Sequence, residues 1–186
     1  MSATAALPAP VMELRAAFET EASFQAWYER TLPRVYAFLA SRCGGSGDVA
    51  EELTQQTFVE AVRRRDSFDG RSDVVTWICA IGRHKLADHF RRLEREERRR
   101  MQLVASESSG EQVEPWQGAE RRQVVEAALS RIPVSQRAAL VFRYLDGLSV
   151  REVAGALGRS ESATESLLAR ARDSFERSYR EVGDGD

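Results

Sequence analysis

Long apolar runs, cysteine pairs and a leader-like start are all missing from this sequence of 186 residues. No apolar stretch approaches the ~20 residues that a bilayer-crossing helix needs, so no membrane insertion is expected. The N-terminus lacks a basic region followed by an apolar core and a cleavage site, which points to a cytoplasmic protein. Two cysteines, Cys43 and Cys79, make neither a disulfide framework nor a paired metal-ligand spacing, and they read as buried free thiols. What remains, with 42% hydrophobic and 30% charged residues, is a soluble globular chain with room for one ordinary domain or two small ones.

Net charge is also scarce, at −2, but the total hides a segregation. Residues 1–62 carry 4 basic and 8 acidic groups, residues 63–100 carry 12 and 7, and residues 101–186 carry 11 and 14. A middle of +5 between flanks of −4 and −3 suits a protein that meets DNA with one surface and something else with the others.

The basic middle contains the stretch SDVVTWICAIGRHKLADHFRRLER, from Ser72 to Arg95. Ser72 or Asp73 can cap a helix, and only Gly82 interrupts the run from there to Arg95. At about 100° per residue, Val75, Ile78, Gly82, Leu86, Phe90 and Leu93 form one stripe bound for a core. The other face carries Trp77, Ala80, His84, Arg91 and Arg95, flanked by Arg83, Lys85 and Arg92. Two readings fit that face. A flat ring among guanidinium groups suits phosphates and unpaired bases; equally, Trp77 can pack beside Val74 and Ile81 while the arginines are merely solvated.

The chain before this helix reads as a mobile start, residues 1–22, joining a helix near Leu14. A helix over Phe24–Arg42 comes next, with Pro33 kinking or splitting it. Gly44, Gly45 and Gly47 end it. Asp48 and Glu51 resemble a capping box and open a second helix to about Arg65, with Phe58, Val59 and Val62 as its core stripe. Leu53 then points away from that stripe. Either this helix lies in the middle of a three-helix unit and buries two faces, or Leu53 is the apolar centre of a docking face with a polar rim.

After the long helix, residues 98–119 read as a flexible linker in which Glu107, Glu111 and Glu114 can enter a basic channel of a partner. Four short helices are predicted beyond it. Arg121–Arg131 stops at Pro133, and Ser135–Leu145 places Ala138, Val141, Phe142 and Leu145 at helical spacing. Ser149 and Glu152 form a capping box for a third helix that Gly158 ends, and a last helix runs from Ser160 or Ser162 to about Val182 with Leu168, Ala171, Phe175 and Tyr179 inward. Two helices across a short Gly-containing turn make a helix-turn-helix pattern. The outward face of the last helix holds Ser162, Ala163, Ser166, Arg170, Asp173 and Arg177, whose first turns can enter a major groove.

Four stretches in this order, WYERTLPRVYAFL, AEELTQQTFVEAVRRRDSF, FDGRSDVVTWICAIGRHKLADHFRR and IPVSQRAALVFRYLDGLSVREVAGALG with the helix after it, resemble the sigma-70 family of bacterial transcription initiation factors. The likeness is to its small two-domain extracytoplasmic-function (ECF) group. It implies an all-α fold: a region 2 helical bundle over residues 23–97 and a region 4 helix-turn-helix domain over 120–183, joined by the flexible linker. It implies a factor that binds core RNA polymerase at the beta-prime clamp and beta flap, directs it to promoter DNA and helps melt the minus-ten element. An anti-sigma factor is the further partner implied.

Residue by residue, Glu52, Leu53, Gln55 and Gln56 match the motif that grips the polymerase, with Gln56 where most relatives carry Glu. Trp77 matches an aromatic wedged against the upstream edge of the melted promoter. Gly70, Arg71, Ser72 and Asp73 sit where the family holds a flipped base, and Arg83, His84, Lys85, Arg91 and Arg92 match the surface reading the adjoining DNA. Arg159, Ser160, Ser162, Ala163, Ser166 and Arg170 match the minus-thirty-five reader. There, relatives with a basic pattern resembling G-T-V-K-S-R-L differ from this chain, which has Glu165 and Leu167 at the two basic positions. The resemblance implies no catalysis and no cofactor, and the sequence holds no catalytic constellation.

A rival from another class is a free-standing helix-turn-helix regulator, which predicts tight dimeric binding to palindromic half-sites. The sigma reading predicts little DNA affinity without polymerase. A metal or redox sensor on Cys79, His84 and His89 is disfavoured, because spacings of five residues do not share a helical face.

Overall fold

The computed structural model describes residues 7–103 and 120–183 and is all-helical among them. The expected acidic linker groups Glu107, Glu111 and Glu114 lie outside the described residues. The chain forms two compact units: Met1–Ala40 with Gly47–Lys85, and Ser41–Ser46 with Leu86–Asp186.

The first unit begins with α1 (Ala9–Ala16), which starts on Pro8 and turns Val11 and Leu14 inward. In α2 (Glu21–Ala40), Pro33 lies inside one continuous helix, so of the two expected outcomes, a kink or a split, the split does not occur. Trp27, Thr31, Val35 and Leu39 recur every four residues on both sides of Pro33, and burying that continuous stripe offsets the missing backbone bond. The next helix, α3 (Gly47–Arg64), corrects the sequence reading more deeply. Its buried face is Ala50, Leu53, Thr54, Thr57, Phe58 and Ala61, so Leu53 is core, at 3% exposed, while Val59 lies outward at 51%. Two threonines caused the misreading. Their hydroxyls donate to carbonyls one turn back, Thr54 to Ala50 at 2.6 Å and Thr57 to Leu53 at 2.6 Å, and so enter the core satisfied.

A 3₁₀ turn (Arg65–Ser67) and a loop lead into α4 (Val74–Leu103), longer than the helix predicted. Val75, Ile78, Gly82, Leu86 and Phe90 are buried as expected, and Leu93 is half-buried. Gly82 matters for its missing side chain: a Cβ there would stand 3.4 Å from Leu39 of α2 and from Thr57 of α3, so glycine lets the three helices close on one another.

In the second unit, α5 (Glu120–Ser130) ends before Pro133, and α6 (Val134–Leu140) runs on into a π-helical turn (Val141–Leu145). That widened turn corrects the placing of Leu145, which is exposed rather than inward. Next come α7 (Val150–Leu157) and α8 (Glu161–Gly183). Ser149 and Glu152 form the expected capping box, and Gly158 ends α7 at φ +65, a left-handed conformation that favours glycine. Phe142, Val153, Thr164 and Ala171 are fully buried, and Phe90 of α4 meets Phe142 edge-on with ring centroids 5.9 Å apart. Ser178 of α8 donates to the Ala128 carbonyl of α5 at 3.1 Å.

Candidate nucleic-acid and partner-binding surfaces

The loop between the 3₁₀ turn and α4 is held at both ends by carboxylates. Asp73 accepts from the backbone N–H of Val75 at 2.6 Å and of Thr76 at 3.2 Å, which caps α4 where the sequence placed a cap. Asp69 accepts from the Arg71 backbone N–H at 3.1 Å and pairs with the Arg71 guanidinium. The Arg71 N–H, then its guanidinium, hold the Asp69 carboxyl below the usual carboxylate range. Arg71 nevertheless keeps 89% of its side chain in solvent, and Gly70 turns the loop at φ +72.

One turn into α4, Trp77 is half-buried, with its ring 5.2 Å from that of buried Phe68. The ring packs against Phe68, and the residue still reaches solvent. His84 and Arg92 are exposed, Arg83, Lys85 and Arg91 half-buried. Some of these cations already have carboxylate neighbours. Lys85 lies 3.7 Å from Glu60 of α3, and Arg91 bonds to Asp88. A hydrogen bond from Arg64, aided by the Lys85 charge, keeps the Glu60 carboxyl low.

On α3, Glu52, Gln55 and Gln56 are exposed together, and Gln56 donates to Glu52 at 2.9 Å. Leu53 is not among them; Val59, one turn on from Gln55 and Gln56, supplies the apolar member of that face.

In the second unit, Ser160 caps α8, its hydroxyl accepting from the Ala163 N–H at 3.2 Å. The outward face brings together Ser162, Ala163, Glu165, Ser166 and Arg170, all exposed. Leu167 is buried at 3%, so it is a core residue and leaves Glu165 as the one acidic departure at the two positions singled out. Arg159 is half-buried and paired with Glu94. A buried ion pair joins Arg42 to Asp146 at 2.8 Å, and burial beside it pushes the Cys43 thiol up to about 11.

Sequence reasoning missed an apolar groove of about 400 Å³ in this unit, lined by Val125, Leu129, Val141, Tyr144, Leu145 and Phe175 among others. Tyr144 and Leu145 are exposed on its rim. Its signal was the pair of large apolar residues just before Asp146 and Gly147, of which the helical spacing took in Leu145 and left Tyr144 unassigned. Among the described residues, no group of three or more His, Cys, Asp or Glu side chains could hold a metal ion, and no helix is long and apolar enough to cross a membrane.

Comparison with known proteins matches the family model for sigma-70 region 2 over residues 18–96 and that for sigma-70 region 4 over residues 122–174. The chain is 32% identical over 166 residues to the ECF RNA polymerase sigma factor SigC of Mycobacterium tuberculosis, covering 88% of this chain and 87% of SigC. It is likewise 32% identical over 157 residues to the ECF RNA polymerase sigma factor BldN of Streptomyces coelicolor, covering 80% of this chain and 57% of BldN. Among solved structures, the sigma factor RpoE of Bartonella quintana, crystallised with the anti-sigma factor NepR, superposes with a TM-score of 0.51 at 25% identity, covering 88% of this chain and 98% of RpoE.

Proposed function

The chain belongs to the sigma-70 family, in its extracytoplasmic-function group, and from that premise we propose how its surfaces divide the work of starting transcription. It is an initiation factor, not an enzyme: nucleotide addition belongs to the core RNA polymerase that it binds and directs to promoters. It works where that polymerase does, in the bacterial cytoplasm, and an anti-sigma factor holds it in check.

The observation that carries the division is Trp77, half-buried on Phe68 and one turn from the loop that displays Arg71. A ring packed on one side is already ordered when a base arrives, so stacking of about 1 to 3 kcal/mol per base is gained at little entropic cost. That is of the order needed to offset unstacking a base pair at the edge of the minus-ten element. In this reading Gly70, Arg71, Ser72 and Asp73 hold the flipped base, and Arg83, His84, Lys85, Arg91 and Arg92 follow the adjoining DNA. Because Lys85 and Arg91 have carboxylate neighbours, each exchanges one partner for another on binding, which favours selectivity over raw attraction.

Glu52, Gln55 and Gln56, with Val59 in place of Leu53, form the contact to the beta-prime clamp. An exposed valine among polar groups has the composition of a small docking face. The apolar groove rimmed by Tyr144 and Leu145 is the surface we assign to the beta flap, and the Ser160–Arg170 face of α8 reads the minus-thirty-five duplex.

The test is to mix the purified protein with core RNA polymerase, follow co-elution by size exclusion, and assay run-off transcription from the promoter of its own gene. Co-elution with specific transcripts is expected. Val59→Asp should abolish co-elution without lowering the melting temperature, whereas Leu53→Asp should unfold the first unit. DNA binding without any binding to core would instead favour the free-standing regulator.

A further inference from the structure

Helix α1 lies outside the family match, which begins at residue 18, yet it touches the loop assigned to the flipped base. The contact is at Gly70. A Cβ built there would stand 2.8 Å from Pro8 Cβ and 2.8 Å from Val11 Cγ2, so these two side chains fill the space that any other residue would need. Gly70 also sits at φ +72, which non-glycine residues rarely adopt. Glycine on its own would visit both signs of φ. Pro8 and Val11 remove that freedom by packing against its bare Cα.

The rest of α1 is built to stay in place. Val11 donates its N–H to the Pro8 carbonyl at 2.9 Å, tying the two contact residues into one turn. Leu14 and Ala17 are buried, and Glu13 pairs with Arg30 of α2 at 2.7 Å. Phe18, just beyond, joins Phe24 and Trp27 in an aromatic cluster and receives Arg65 over its ring at 5.4 Å. The loop is thus fixed at its ends by Asp69 and Asp73 and at its turn by α1.

We infer that Pro8 and Val11 are positioning residues for base capture: they hold the Gly70 turn in the shape that receives the flipped base, so that the ordering cost is met before DNA arrives. This inference rests on the assignment of Gly70–Asp73 to that base. Neither residue needs to touch DNA. The expected loss on Val11→Ala is about 2- to 10-fold in affinity, the scale of ordering one small segment.

The experiment uses holoenzyme assembled from core polymerase and the full chain, with single-stranded oligonucleotides carrying the non-template strand of its own gene's promoter. An abasic site is moved along the minus-ten stretch. Val11→Ala and Pro8→Ala should weaken binding of the intact oligonucleotide, and the loss should vanish when the abasic site occupies the flipped position. Met12→Ala, exposed on the same helix, should bind as wild type. Equal losses on every oligonucleotide, abasic ones included, would mean that α1 is merely structural and overturn the inference. Losses for Arg71→Ala but none for Val11→Ala or Pro8→Ala would overturn it while keeping the loop as the base site. No loss for Arg71→Ala and Gly70→Ala either would overturn the loop assignment and the inference with it.

Discussion

The face of α4 that we assign to DNA carries an aromatic ring, a histidine and several cations, whereas that of α8 offers two serines, an alanine and Arg170 with Glu165 among them. Melting needs a ring to replace the stacking a base gives up, and cations to hold single strands. Reading an intact duplex needs hydroxyls and a few donors, but its affinity comes mainly from phosphate neutralisation. With Glu165 on that face and Arg159 committed to Glu94, α8 attracts phosphate weakly on its own. On the proposed assignment, the contrast predicts that the polymerase brings α8 to DNA and that the chain's own binding energy is kept for the step at α4.

The sharpest way to break the contrast is to mistake core for surface on α8. Leu167→Lys should cost the second unit more than the about 2 to 5 kcal/mol of emptying a buried leucine site, because it also drives an ammonium into the interior. Thermal denaturation should report the loss, and a folded variant with tighter promoter binding would return Leu167 to the reading face. Next in size, Trp77→Ala should slow open-complex formation on duplex promoters by about 5- to 150-fold, the equivalent of one stacking contact. On templates already melted at the minus-ten element the loss should shrink, and Trp77→Phe should retain much of the wild-type rate.

A smaller effect sharpens the α8 side. Glu165→Lys should steepen the salt dependence of holoenzyme binding to duplex promoters by about one unit of log–log slope, as expected for one more neutralised phosphate. An unchanged slope would remove Glu165 from the DNA face. The smallest effect concerns pH at the loop. Since the Asp69 carboxyl lies below its ordinary value in the fold, its tie to Arg71 is complete above the usual carboxylate range and fails only as pH falls through that lowered value. Exchange protection of the Arg71 amide should therefore be flat from about pH 5 to about pH 8 after correction for intrinsic exchange, and Asp69→Asn should weaken it throughout.

Most helices, the caps at Asp73 and Ser149, and the helix-turn-helix corner were legible because each rests on local signals: Ser149 with Glu152, Gly158, and the stripe from Val75 to Phe90. What stayed hidden depended on polar side chains satisfied within their own helix, on a shift of helical phase, or on partners distant in sequence. Thr54 and Thr57 read as polar until their hydroxyls are seen bonded to the carbonyls behind them, and that exchanged the places of Leu53 and Val59. The π-helical turn at Val141–Leu145 shifted the phase and released Leu145 into a groove rim. Pro8 and Val11 carry no motif, and only the folded chain brings them to Gly70. The family likeness named the loop, but not what supports it.

The most direct measurement is permanganate probing of unpaired thymines on a duplex promoter of its own gene, with the protein alone, core polymerase alone, and both together. Reactive thymines confined to one minus-ten window, and only when both are present, are the predicted result. Tight binding of the duplex by the protein alone, with no reactive thymines when core is added, would contradict the account and leave a free-standing duplex-binding regulator.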